Sequence, residues 1–369
     1  MPSGRRKILI AGASGLVGCA LVKLFTTKPD WDVVAVSRRK PFVPLGKARH
    51  IAVDLLDRDE CARIFGAMRD VTHVGYAALN EQMDDIVGGW RDPQQIGKNR
   101  AMLANLFDPL IAAAHDFQHI AIVHGLKAYG NHAGAYLPIP LREILPRHPV
   151  DNFYYDQEDY IADKQKGRGW GWTVLRPAMI AGDAIGANMN SFLVLAVFAA
   201  LRKEAGLDLP QATGRSFLTD SSDADLIAEA ILWAGSSPKA RNETFNVCNG
   251  DIFALHDGIP VIAEAIGVPL GEARSYDLIA ELRAMEPQWA TMVTKHGLKA
   301  PADFDSLFGA TLQVARGWTA EAPPGAEMAY GLASTIKIRQ AGFHACIDTH
   351  DMMRKYVRRY RELGIIPLG

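Results

Sequence analysis

Lys7-Ile8-Leu9-Ile10-Ala11-Gly12-Ala13-Ser14-Gly15-Leu16-Val17-Gly18 is the stretch on which the fold turns. Lys7 to Ala11 is an apolar run of strand type and Leu16 onward reads as a helix, so the glycines stand in a strand, turn, helix setting. Gly12 permits the tight turn, Gly15 lets the backbone approach a pyrophosphate, and Gly18 lets the helix pack closely on the strand. The helix N-terminus offers free N–H groups to phosphate oxygens. Glycines alone would say little; in this setting they mark a dinucleotide site.

Working outward, Ile- and Val-rich runs at Trp31–Val36, 50–53, 72–76, His119–Val123 and 172–175 read as strands. Leu16–Thr27, 60–68, 98–115 and 152–165 read as helices. Such alternation builds βαβ units, so the fold class is α/β, a Rossmann-type doubly wound parallel sheet. After Pro177 the rhythm changes to an apolar helix at Ser191–Glu204, a loop over 209–215, a helix at Ala224–Ala234 and a strand at Glu243–Val247. Residues 300–325 read as a long irregular excursion. The expected division is a dinucleotide-binding domain over 1–180 and a smaller C-terminal substrate-binding lobe over 181–369, with segments near 215–250 returning to the core.

Composition narrows the function. Of 369 residues 49% are hydrophobic and 22% charged, enough for a sizeable core. Lys plus Arg number 40 against 41 acids, so no global field draws the chain to nucleic acid or an anionic membrane. The basic segment 352–363 reads as a solvated helix. Arg5, Arg6 and Lys7 precede an apolar stretch, but the glycines break it, so no signal peptide is read there. The longest apolar run, 192–201, is about half of the ~20 residues a membrane span needs. Cys19, Cys61, Cys248 and Cys346 are far apart and form no C-x-x-C pair, which fits reduced thiols and a cytoplasmic location. His115 and His119 have i, i+4 spacing without the carboxylates of a zinc motif, so no metal is expected. The oligomer to look for is a homodimer.

Which dinucleotide binds is decided at the end of the second strand. An NAD site usually places an acid there, whereas this chain has Ser37-Arg38-Arg39. Two guanidiniums and a hydroxyl suit a 2′-phosphate, so NADP(H) is the expected cofactor. Asp54 can take the adenine amino group or act as a plain helix N-cap.

The spacing G-x-x-G-x-x-G resembles the extended short-chain dehydrogenase/reductase superfamily. That resemblance implies further cofactor contacts from Leu16, Val17, Leu55, Tyr76, Ala77, Ala78, Pro177, Met179 and Ile180. Members normally carry Ser or Thr after the fifth strand and Y-x-x-x-K on the next helix. Here Gly125 stands in His124-Gly125-Leu126-Lys127-Ala128-Tyr129-Gly130, and Asp159 replaces the lysine four residues after Tyr155. Both departures match one branch: Asn152-Phe153-Tyr154-Tyr155-x-x-Glu158-Asp159 resembles the motif of the progesterone 5β-reductase/iridoid synthase family, whose members reduce the carbon-carbon double bond of enones and enals with NADPH. The likeness continues through Leu175-Arg176-Pro177, Asp223-Ala224-Asp225 and Gly364-Ile365-Ile366-Pro367. It implies a catalytic tyrosine working with a loop lysine, and Lys127 occupies that place. Plant members carry a tryptophan soon after the fourth strand where this chain reads Tyr76-Ala77-Ala78-Leu79-Asn80, so steroid specificity does not carry over.

Tyr154 and Tyr155 point about 100° apart on a helix. Tyr155 is the one expected to face the cleft, because four and eight residues on stand the polar Asp159 and Asp163 in phase with it. Tyr155 and Lys127 would then donate to the enolate oxygen of a small enone or enal. Two rivals share the fold: a carbonyl reductase or sugar epimerase, and a non-catalytic NADP(H)-sensing protein.

Overall fold

Seven of the apolar runs pair in parallel because each carries branched residues that two helical layers can cover. The computed structural model describes residues 5–82, 86–133, 137–321 and 331–369. The chain runs β1 (Arg6–Ala11), α1 (Leu16–Thr27), β2 (Trp31–Val36), β3 (Arg49–Ile51), α2 (Arg58–Phe65), β4 (His73–Tyr76), α3 (Ile86–Gly89), α4 (Pro93–Ala113), β5 (His119–Val123), α5 (Phe153–Gln165) and β6 (Gly171–Pro177). There follow β7 (Met179–Ala181), α6 (Ser191–Glu204), β8 (Leu209–Gln211), β9 (Leu218–Thr219), β10 (Ser221–Asp223), α7 (Ala224–Ala234) and β11 (Glu243–Val247).

Packing divides the chain into two units: Met1–Ala178 with Ala224–Val247 and Ala333–Ala345, and Met179–Asp223 with Cys248–Leu332 and Cys346–Gly369. The first unit holds the sheet, in the order β11-β6-β5-β4-β1-β2-β3. Leu9, Val34, Val74, Ile120 and Val174 from its strands pack on Phe65, Leu103, Phe107 and Ile161 from its helices. After β3 the chain crosses back to lay β4 on the far side of β1, so strand order reverses between β1 and β4. In a doubly wound sheet a ligand binds outside the carboxyl ends at that reversal.

Within the second unit the basic helix Thr349–Glu362 buries Met352, Met353, Tyr356 and Tyr360, and its cations reach acids of the same unit: Lys355 to Asp223, Arg354 to Glu264, Arg359 to Asp183. Two expectations differ from the structure here. The 209–215 loop begins with the short strand β8, and 304–315 holds two short helices, Phe304–Phe308 and Leu312–Ala315. Their buried Phe304, Leu307, Phe308, Leu312 and Ala315 have helical spacing that Gly309, at φ +55°, interrupts. Residues 322–325 of that expected excursion lie outside the described ones. No described helix is long and apolar enough to cross a membrane.

His73 and His119 face each other across the first residues of β4 and β5. His119 Nε2 lies 3.0 Å from Thr173 Oγ1, and His73 Nδ1 2.9 Å from Thr72 Oγ1. Burial brings His73 down to about 4 and His119 to about 3. The folded-state values lie below the unfolded one near ~6.5, so as pH falls past that point protons bind the unfolded chain first and stability is lost. The pair should remove about 3 to 4 kcal/mol between about pH 7 and about pH 5, read as a falling urea midpoint. A midpoint that stays flat across this window would show that the imidazoles are not sealed.

Candidate active site

At the end of β1 the chain leaves the sheet through Gly12, at φ +79°, a left-handed conformation that glycine adopts without strain. A Cβ there would lie 2.6 Å from the Ala77 carbonyl oxygen and 2.7 Å from Ala78 N, so the turn rests on the chain leaving β4. A Cβ on Gly18 would meet the Gly12 carbonyl oxygen at 2.1 Å, which sets how closely α1 packs on the turn. Gly15 is the N-cap of α1 and offers no side-chain acceptor. The first-turn amides of Leu16 and Val17, with Ser14 beside them, are thus left for an outside anion, and the cradle fits a pyrophosphate.

Other expected cofactor positions divide by where their side chains go. Tyr76 and Leu55 turn into the sheet core, leaving the small Ala77 and Ala78 against the turn. Arg38 and Arg39 follow β2 and are exposed. Ser37 is buried; its hydroxyl donates to the Arg39 carbonyl at 2.6 Å and lies 3.1 Å from His50 Nε2, so it shapes the turn that presents the arginines. Asp54 Oδ1 accepts from Leu56 N–H at 3.0 Å, while the N-cap of α2 is Asp57, accepting from Glu60 N–H at 2.9 Å. The capping alternative for Asp54 is thereby corrected: the turn needs an acid three residues later. Pro177 ends β6, whereas Met179 and Ile180 form β7 of the second unit.

Beyond β5, His124-Gly125 lead into a single 3-10 turn, Leu126–Tyr129, closed by Gly130 at φ +86°. The turn folds Lys127 inward. Its Nζ lies 3.9 Å from the centre of the Trp90 ring and 3.5 Å from Glu81 Oε1, and Trp90 Nε1 donates to that same oxygen at 2.9 Å. Burial pulls Lys127 below its ordinary pKa and the Glu81 carboxylate works against the fall.

Asn152 caps α5 and ties it to this turn. Its Oδ1 accepts from Tyr154 N–H at 3.0 Å and its Nδ2 donates to the Lys127 carbonyl at 2.9 Å. Tyr154 then packs edge-on to Trp90, ring centres 5.0 Å apart, and face to face on His124 at 4.1 Å. Its hydroxyl is 3.4 Å from where a Cβ on Gly125 would sit, and no described residue hydrogen-bonds it. Burial, then the charge of Glu81, push the phenol far above its usual range, so it stays a neutral donor.

Tyr155, the residue expected in the cleft, is engaged elsewhere. Its hydroxyl donates to the Ala128 carbonyl at 2.8 Å and accepts from His148 N–H at 3.1 Å. The polar phase that points to it traces the solvent edge of α5: Asp159 is 68% exposed and pairs with Arg147 at 2.8 Å, and Asp163 pairs with Lys166. Glu158 instead lies inward, 2.7 Å from Arg176 and 3.0 Å from Arg147, and locks α5 to β6. Burial opposes its charge, but His124 and Arg176 hold its carboxyl well below the carboxylate range.

Sequence reasoning names Gly125, Lys127 and the tyrosine pair but misses Glu81, Trp90 and His124 as neighbours. Glu81 and Trp90 lie in the connection from β4 to α4, whose sequence shows no strand or helix period; the fully buried Trp90 supplies an aromatic wall where 77–80 carry no aromatic residue.

Residues 8–310 match the PRISE-like Rossmann-fold domain. The (S)-8-oxocitronellyl enol synthase of Nepeta cataria is 33% identical over 312 residues, covering 79% of this chain and 77% of that one. The 3-oxo-Delta(4,5)-steroid 5-beta-reductase of Arabidopsis thaliana is 28% identical over 380 residues, covering 97% and 92%. Among solved structures, the UDP-glucose 4-epimerase of Thermus thermophilus in complex with NAD shares the fold, with a TM-score of 0.65 at 18% identity over 96% of this chain and 99% of that one. The fold alone therefore reaches as far as the epimerases, while the sequence match narrows it to the branch that the tyrosine motif resembles, and the chain belongs to the PRISE-like Rossmann-fold family.

Proposed function

We propose that the protein is an NADPH-dependent reductase of the C=C bond of α,β-unsaturated carbonyls, both enones and enals. One observation carries the reading: the Tyr154 hydroxyl stands beside Gly125 with no hydrogen bond from a described residue, and the Lys127 ammonium rests on the same indole that the phenol packs against. The relatives' names, an enol synthase and a 5-beta-reductase, point the same way.

A bound nicotinamide would supply the hydride to the β-carbon. The chain's own task is the negative charge that then builds on the carbonyl oxygen. Tyr154 as a neutral donor and Lys127 as a charged one would stabilise that oxygen, at typically ~3 to 4 kcal/mol per donor. Gly125 leaves room for it where the wider superfamily has a hydroxyl side chain. Carbonyl reduction would need a tyrosine with a lowered pKa, whereas that of Tyr154 is raised and four residues on stands Glu158, locked to Arg176. Solvent protonates the α-carbon. In the same reading the second unit binds substrate, and the protein is a cytoplasmic homodimer.

Gly12, Ser14, Gly15 and Gly18 would hold the pyrophosphate, and the 2′-phosphate falls to Arg38 and Arg39. Losing one charge-assisted hydrogen bond costs about 1.5 to 3 kcal/mol, so Arg38→Ala should weaken NADPH about tenfold or more and leave NADH nearly unchanged in binding titrations. Equal losses for both would remove the arginine from this role.

The function is tested by NADPH oxidation against a panel of cyclic and acyclic enones and enals, with nucleotide sugars and saturated ketones alongside. Turnover confined to the unsaturated carbonyls is expected. Turnover of the ketones alone, or epimerised sugar found by product analysis with no net loss of NADPH, would return the chain to ordinary chemistry of its superfamily, and NADPH binding with no turnover of any of them would make it a sensor.

A further inference from the structure

The connection from β4 to α4 carries a carboxylate into the interior beside Lys127. The side chain of Glu81 is 1% exposed, a burial that a carboxylate tolerates only with partners. It takes the Trp90 indole N–H at 2.9 Å and stands 3.5 Å from the Lys127 ammonium, which rests 3.9 Å from the Trp90 ring centre. The three side chains close a triangle: the acid orients the indole, the indole supports the ammonium, and the ammonium neutralises the acid. Trp90 also packs with Phe153 and Tyr154, so triangle and phenol share one cluster.

We infer that Glu81 is a positioning residue for the reduction: as buried counter-ion of Lys127 it holds the ammonium on Trp90, where the substrate oxygen is received, and keeps it charged there. This rests on reading Lys127 and Tyr154 as donors to that oxygen. A lysine stem is otherwise free to snorkel, and its ammonium loses its proton more readily when desolvated. The other titratable or charged groups around it do not replace the acid. His132 is held by burial near 4 and is neutral at ordinary pH; Arg91, whose Nη2 donates to the His132 carbonyl at 3.1 Å, is a cation; Tyr154 is a neutral phenol.

Glu81→Gln keeps the shape and leaves the indole an acceptor while removing the charge. For a weakly activated enone, kcat/KM should fall about tenfold or more, and its pH profile should gain a basic limb about one unit or more below that of the wild type. NADPH affinity should not change, and Glu81→Asp should recover part of the activity. If Glu81→Gln keeps the wild-type profile and loses only thermal stability, the acid merely packs and the inference fails. A second reading avoids activity altogether: Lys127→Met strands a buried carboxylate, so Lys127→Met/Glu81→Gln should melt higher than Lys127→Met, and a lower midpoint overturns the pairing. Full enone activity in Lys127→Met would overturn the donor reading and this inference with it. Activity lost in Lys127→Met beside an unaltered profile in Glu81→Gln overturns the inference alone.

Discussion

Tyr154→Phe is expected to lower kcat for enone reduction about a hundredfold while NADPH affinity stays near that of the wild type. The ring remains, and with it the packing on Trp90 and His124, so the variant should melt with the wild type. What goes is a hydroxyl that no described residue hydrogen-bonds, and therefore one whose removal strands nothing inside the protein. Tyr155→Phe should behave in the opposite sense. Its hydroxyl joins the Ala128 carbonyl to the His148 amide, and removing it leaves both without that partner, at about 1 to 3 kcal/mol of stability. Its kcat should change far less than that of Tyr154→Phe. Steady-state kinetics and thermal midpoints on the two variants separate the roles. A crippled Tyr155→Phe with a normal midpoint, beside an active Tyr154→Phe, would hand the chemistry back to Tyr155.

The tyrosine register shows where sequence reading stops. Patterning tells inside from outside, and it works for β1, β2 and α1 because the apolar side of each is buried and the signal is local. Tyr154 and Tyr155 are 6% and 8% exposed, so both sides of the helix start are inside and polarity cannot rank them. Asp159 and Asp163 then report the solvent edge further along α5, not the face that meets Gly125. The glycine turn is legible for a different reason: its backbone demand at Gly12 and its close approach at Gly18 admit few residue types. Glu81 is illegible because an acid in a polar connection, with Asp84 and Asp85 close behind it in sequence, looks like surface until tertiary packing brings Trp90 and Lys127 to it. The return of Ala333–Ala345 to the first unit is equally non-local, held by Ser334 N–H on the Leu141 carbonyl at 2.8 Å and by Lys337 on Glu243 at 2.7 Å.

Lys127→Met should cost most where the substrate helps least. If the ammonium acts by stabilising charge on the carbonyl oxygen, a weakly activated enone should lose about two orders of magnitude in kcat/KM, since one such donor is typically worth ~3 to 4 kcal/mol. A strongly activated acceptor, which stabilises its own enolate, should lose about tenfold or less. Because the substitution also strands Glu81, part of the protein can be lost to unfolding; the ratio between the two substrates within one preparation cancels that loss. A lysine placed at 159 should not restore the activity. Position 159 lies on the solvent edge against Arg147, so Asp159→Lys would set two cations together there and leave the phenol's surroundings of Glu81, Trp90 and His124 as they are. The measurement is kcat/KM for a graded enone series in wild type, Lys127→Met and Lys127→Met/Asp159→Lys. A loss that is uniform along the series and repaired by Asp159→Lys would mean that a proton shuttle, not an oxyanion site, is what this loop and helix build.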